Sequence, residues 1–159
     1  MRKHQTGFTL IELVVVITIL GLLAGIALPK FAALQADARL AKMQAALGSL
    51  KSAAAMAHAN LLTRGLDANY TGTPSPAIVI EGTTVTYVNG YPNATTIVSL
   101  AGLNDDYVVT GLTAPRVAAS DSNHTGATAG TDCTVGYTPP AAANTQPTYT
   151  LNATVSNCM

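Results

Sequence analysis

The sequence has no tryptophan, and Phe and Tyr supply only 5% of its 159 residues. Charged residues reach only 10%, against roughly 25% in an ordinary soluble domain. With a formal net charge of zero, this composition argues against a protein built to grip nucleic acid. His4, His58 and His124 are isolated from one another, without metal-ligand spacing, and read as solvated side chains. Ser and His form no local nucleophile motif, and no glycine-rich phosphate loop follows a strand. Asp105-Asp106 reads as a turn rather than a calcium site. No catalytic residue, cofactor or metal is therefore expected, and the length allows one ordinary domain.

Cysteine is also scarce. Cys133 and Cys158 are the two present, both close to the C-terminal end. Such a pair reads as one disulfide if the chain leaves the cytoplasm, and as two free thiols in a reducing compartment. Charge is unevenly placed. Residues 1–70 carry seven Lys/Arg against Glu12, Asp37 and Asp67, whereas residues 71–159 carry Arg116 against five acids. The second half is rich in Thr, Gly, Asn and Ala, so two chemically different halves are expected to do different work.

What the chain does have is a long apolar run. Residues 8–28 read FTLIELVVVITILGLLAGIAL, with one charge, Glu12. At about 1.5 Å per residue, such a helix spans roughly 30 Å, the thickness of a bilayer core. Arg2 and Lys3 precede it and belong on the cytoplasmic side. A secretory signal cut after Gly25-Ile26-Ala27 fits the basic start, but the carboxylate and the length speak against it. A plain membrane anchor fits the length and leaves Glu12 unexplained.

Gly7-Phe8-Thr9-Leu10-Ile11-Glu12, then the apolar run and Pro29, resembles the start of type IV prepilins. The resemblance implies cleavage between Gly7 and Phe8 by a prepilin peptidase and N-methylation of Phe8. It also implies a role for Glu12 in assembly. A carboxylate at the centre of a membrane helix costs about 2.5–3.5 kcal/mol on insertion scales. An α-amine on Phe8 would be cationic at neutral pH and would stand four residues from Glu12. At about 4 Å and an effective dielectric of about 20, the pair attracts by about 4 kcal/mol. The competing reading leaves Glu12 snorkelling to the interface. Pro29 removes one helical hydrogen bond and predicts a kink; the family's filaments imply local melting there.

Residues 30–64 continue as an amphipathic helix. Ala33, Ala36, Leu40, Met43, Leu47, Leu50, Ala54, Ala57 and Leu61 form a charge-free stripe, one face to bury. Arg64-Gly65 ends it. Downstream, Ile78–Ile80 and Val85–Val88 predict a hairpin, Tyr107–Thr110 a further strand, and Tyr149–Val155 a strand with its apolar side on odd numbers. Residues 97–103 suit a strand or a short helix. Residues 120–147 read as a loop. An antiparallel sheet of about four strands, covered by the helical stripe, is the economical arrangement. The four Asn-x-Thr sequons at Asn69, Asn93, Asn123 and Asn152 are what an Asn- and Thr-rich chain supplies by chance.

The expected architecture is therefore α+β, of the type IV pilin fold. It comprises a leader at 1–7, a membrane or filament-core helix at 8–29, an amphipathic helix at 30–64 and a sheet domain at 65–159. The resemblance implies a disulfide region at 133–158. It further implies a helical homopolymer, held in the bacterial inner membrane before assembly by a platform and ATPases, and extracellular afterwards. Pro29-Lys30-Phe31, Leu34-Gln35, Asp37-Ala38-Arg39 and Asn89-Gly90-Tyr91-Pro92 resemble the mannose-sensitive haemagglutinin branch. Two alternatives remain open at this point, a type II secretion pseudopilin and a secreted soluble binding domain. The commonest major pseudopilin carries a calcium site and usually no disulfide loop.

Overall fold

A computed structural model describes residues 8–104, 107–110, 116–119 and 133–158. The expected leader at 1–7, Asp105-Asp106, His124 and Asn123 lie outside these residues. Helix α1 runs unbroken from Leu10 to Thr63, through Pro29. Its start is specified locally. Thr9 is the N-cap, its hydroxyl accepting from the Glu12 N–H while the Glu12 side chain accepts from the Thr9 N–H. This reciprocal arrangement satisfies two donors that a helix otherwise leaves unpaired. Its end is equally local. Gly65 adopts φ +71, its N–H donates to the Leu62 carbonyl, and the Leu66 N–H donates to the Leu61 carbonyl. That pair of bonds is a Schellman stop, and it needs a left-handed residue at Gly65.

The remaining described elements fold on the C-terminal half of α1. Strands β1 (Val79–Ile80) and β2 (Thr83–Thr84) form one hairpin. Strands β3 (Tyr87–Val88) and β4 (Tyr91–Pro92) form a second. Helix α2 (Ala94–Leu100) follows, capped by the Asn93 side chain. The main sheet is antiparallel in the order β5-β6-β7-β8, from β5 (Tyr107–Thr110), β6 (Arg116–Ala119), β7 (Thr134–Thr138) and β8 (Thr148–Leu151). The α+β expectation, with a four-stranded sheet on a long helix, holds.

The strands correct the sequence reading in several places, and β6 is one it did not contain. Strand β7 lies inside the span read as loop, because Thr134, Val135, Gly136 and Tyr137 are all buried, so no inside-outside alternation marks it. Asn89-Gly90 turns a hairpin that the strand reading passed over. Both residues have positive φ, 48 and 84, as a two-residue type I′ turn requires. The last strand stops at Leu151 rather than Val155. Thr154 and Asn157 exchange side-chain to backbone bonds there, which closes a turn in place of more ladder. Leu151 and Val155 are consequently exposed, while Ala153 is buried.

The stripe on α1 behaves as expected from Ala36 onward. Ala36, Met43, Leu50, Ala54, Ala57 and Leu61 are fully buried, and Ala46 and Ala53 join them. Ala33 is exposed. Met43, Leu50 and Ala54 pack with Ile97, Val98, Val135 and Tyr137, whereas Ala57 and Leu61 pack with Ile78, Val85 and Tyr87. Each large side chain buried this way stabilises the fold by about 1.5–3 kcal/mol. Two tyrosine hydroxyls from the shell reach the helix backbone: Tyr87 donates to the Ala57 carbonyl at 3.0 Å and Tyr107 to the Lys42 carbonyl at 3.2 Å. Tyr137, also buried, donates to the Pro92 carbonyl at 2.7 Å.

Candidate functional site

The N-terminal half of α1 has no partner among the described residues. Every large apolar side chain from Phe8 to Leu34 is exposed. Phe8 is 89% exposed, and even the least exposed, Val14, shows 43%. This is the one described helix long and apolar enough to cross a membrane. It is also continuous with the helix that organises the sheet domain, so one rigid element carries both surfaces.

Glu12 sits on the first turn of this exposed segment. Its Oε2 accepts from the Thr9 N–H at 3.0 Å and from the Thr9 hydroxyl at 2.8 Å. The carboxylate is thus turned back toward the start of the helix, one peptide from Phe8. A negative group in the first turn also complements the helix dipole. Thr9 is the functional neighbour that the sequence reading missed, although Thr-x-x-Glu is a legible capping signal. Gly7 lies outside the described residues. Gly21 and Gly25 have open space where a side chain would project.

In the sheet domain, Cys133 and Cys158 form a disulfide, and both are fully buried. The Arg39 guanidinium donates to the Cys158 carbonyl at 2.9 Å, tying the C-terminal segment to α1 shortly after its exposed half ends. No periodicity argument links residues 119 positions apart, so this contact was not legible beforehand.

His58 is not the solvated side chain expected. It is half-buried and stacks on Tyr91, with ring centroids 4.4 Å apart and planes within 4°. Its Nδ1 lies 2.7 Å from the Gly90 carbonyl, which fixes the proton on Nδ1 because a carbonyl only accepts. Gly90 must be glycine here, since a Cβ would fall 1.8 Å from the Ala68 carbonyl oxygen. The described sequon asparagines have structural partners. Asn69 and Asn144 bond each other, Asn93 caps α2, and Asn152 reaches the Thr134 hydroxyl. No group of His, Cys, Asp and Glu among the described residues is placed to hold a metal ion.

Residues 2–28 match the family described as the prokaryotic N-terminal methylation motif. Among curated proteins, the chain is 38% identical over 53 residues to the type IV major fimbrial protein FimA of Dichelobacter nodosus, covering 33% of this chain and 34% of that one. It is 46% identical over 61 residues to the fimbrial protein EcpB of Eikenella corrodens, covering 37% and 38%. It is 42% identical over 52 residues to a fimbrial protein of Pseudomonas aeruginosa, covering 33% and 34%. The matches span about a third of the length of these relatives. No solved structure matches the chain significantly. The N-terminal segment thus carries the prokaryotic N-terminal methylation motif, on a chain similar over about a third of its length to type IV fimbrial proteins.

Proposed function

We propose that this chain is the precursor of a type IV pilus subunit, a structural protein rather than an enzyme. The observation that carries this reading is the exposure of every large apolar side chain from Phe8 to Leu34, a stretch whose first part bears the methylation motif. A peptidase in the inner membrane cuts between Gly7 and Phe8 and the new Phe8 amine is methylated. The segment 8–29 then waits in lipid and passes into a bundle of like helices in the filament, while the domain from residue 65 onward forms the shell. The 30–64 segment joins the two, and Pro29 is where the helix yields. An assembly platform and its ATPases supply the work of extraction. The filament ends outside the cell, where a disulfide persists. A branch close to the mannose-sensitive haemagglutinin pilins suits the motifs after Pro29.

Glu12 makes the transfer selective. Leaving lipid headgroups for a dry bundle is unfavourable for a lone carboxylate, and a cationic amine on a neighbouring Phe8 offsets it. The carboxylate already faces the start of the helix through Thr9, so little rearrangement is needed. The test is the intact mass and N-terminal peptide of the surface protein. A start at methylated Phe8 is expected, whereas a start at Leu28 would establish an ordinary secreted domain. A pseudopilin is the second reading, and electron microscopy of the assembled filaments separates it from a long pilus. Glu12→Val is expected to insert into the membrane normally and to abolish filament yield. Undiminished filaments from that variant would refute the pairing.

A further inference from the structure

The sheet domain carries a cleft that the filament reading does not use. It lies between the last turns of α1 and the segment leading into β8, with a volume of about 600 Å³, inside the range typical of small-molecule sites. A smaller cavity of about 240 Å³ adjoins it and shares His58, Tyr91 and Gln146. Ala55 and Pro147 give the cleft a carbon wall. Its polar tips are the Lys51 ammonium, the Tyr91 and Tyr149 hydroxyls and the Gln146 amide. None of the four has a hydrogen-bond partner among the described residues. Among the described residues, no acidic side chain lines either cavity.

The lining is held in place before any ligand arrives. Tyr91 is clamped by the parallel His58 ring, itself fixed on the Gly90 carbonyl. Tyr149 tilts against the buried Tyr137, with centroids 5.5 Å apart, and Lys51 Nζ rests 5.6 Å above its ring. The reciprocal Asn69–Asn144 bonds pin the loop that carries Gln146. Burial, with Tyr91 beside it, raises the Tyr149 pKa, so its hydroxyl stays a donor at physiological pH. A preformed site has little ordering entropy left to lose on binding.

We propose that this cleft binds a short acidic saccharide, its carboxylate on Lys51 and its ring hydroxyls on Tyr91, Tyr149 and Gln146. One cation among three neutral groups that both donate and accept suits a sugar acid that sets one carboxylate on Lys51 and its hydroxyls on the neutral groups, better than a phosphate, which calls for several cations or backbone donors. The carbon wall and tyrosine edges suit the C–H face of a sugar ring. The site does not depend on polymerisation, and its failure would leave the pilus reading untouched.

The test uses the full chain in micelles of a detergent without a sugar headgroup, titrated with trigalacturonate and with neutral maltotriose by calorimetry. Saturable binding of trigalacturonate, weakened by salt and absent for maltotriose, is expected. Lys51→Met and Tyr149→Phe are each expected to weaken it about tenfold, the loss of one such hydrogen bond. Circular dichroism of both variants checks that the fold is kept. Absence of saturable trigalacturonate binding, equal binding of maltotriose, or unchanged affinity in folded Lys51→Met protein would each overturn the proposal.

Discussion

The two halves of α1 are one helix by backbone and two different objects by surface. From Leu10 to Leu34 the helix is almost wholly apolar, with Glu12, Thr18 and Lys30 as its polar members, and every large apolar side chain on it is exposed. From Ala36 to Leu61 one face is buried, with Leu40 and Leu47 partly so, and the rest carries Arg39, Lys42 and Lys51. Helix propensity does not separate these halves. What separates them is the solvent each is written for, since a helix apolar all round needs lipid or other helices and a one-sided helix needs a domain. A single element serves both, so the domain cannot shift without carrying the exposed apolar segment along.

Breaking the buried half has the largest expected effect. Leu50→Ala should cost about 4 kcal/mol of domain stability through lost burial and the cavity left behind, read by denaturant unfolding of the full chain in micelles. Next comes the covalent clamp. Cys133→Ser should cost up to about 3.5 kcal/mol in the loop-entropy account. Intact mass that does not change after reduction and alkylation of the wild type would contradict the bridge. Tyr137→Phe should cost about 1–2 kcal/mol, because the hydroxyl bond to the Pro92 carbonyl is lost. It also sharpens a pH prediction. Burial raises the Tyr137 pKa far above its ordinary value, so above about pH 10 the unfolded chain releases this proton while the folded chain keeps it. Stability is therefore intact below pH 10 and falls as pH rises beyond it. The fall should be shallower in Tyr137→Phe but still present, since Tyr87 and Tyr149 are raised too. Smallest of all, Leu20→Ala in the exposed half should change domain stability by less than about 0.5 kcal/mol. A loss comparable to that of Leu50→Ala would mean that the two halves are not energetically separate.

The halves also differ in how far the sequence alone describes them. The bounds of α1, its stop at Arg64-Gly65 and its buried stripe follow from patterns within a few residues of each position. The hairpin at Asn89-Gly90 was equally local and was passed over, since attention fell on longer alternating runs. Strand β7 was hidden for a different reason. Its residues are buried on both faces, and Thr134 and Gly136 do not look like core residues until α1 and β8 enclose them. The cleft at Lys51 was beyond reach, because it joins side chains from α1, β4 and β8 that only the tertiary fold brings together. His58 illustrates the same limit, for its stacking partner lies 33 positions away.

The tyrosine hydroxyls on the helix carbonyls have a mechanical consequence. Much of the buried stripe of α1 is alanine, which offers little relief for the shell to interlock with between Met43, Leu50 and Leu61. Tyr107 at Lys42 and Tyr87 at Ala57 pin the shell at two points fifteen residues apart, roughly 22 Å along the axis. Two pins fix both translation and roll, as two dowels locate a plate. A pull along the helix is therefore met by shear of specific bonds at both stations together, and the shell travels with the helix rather than creeping along it.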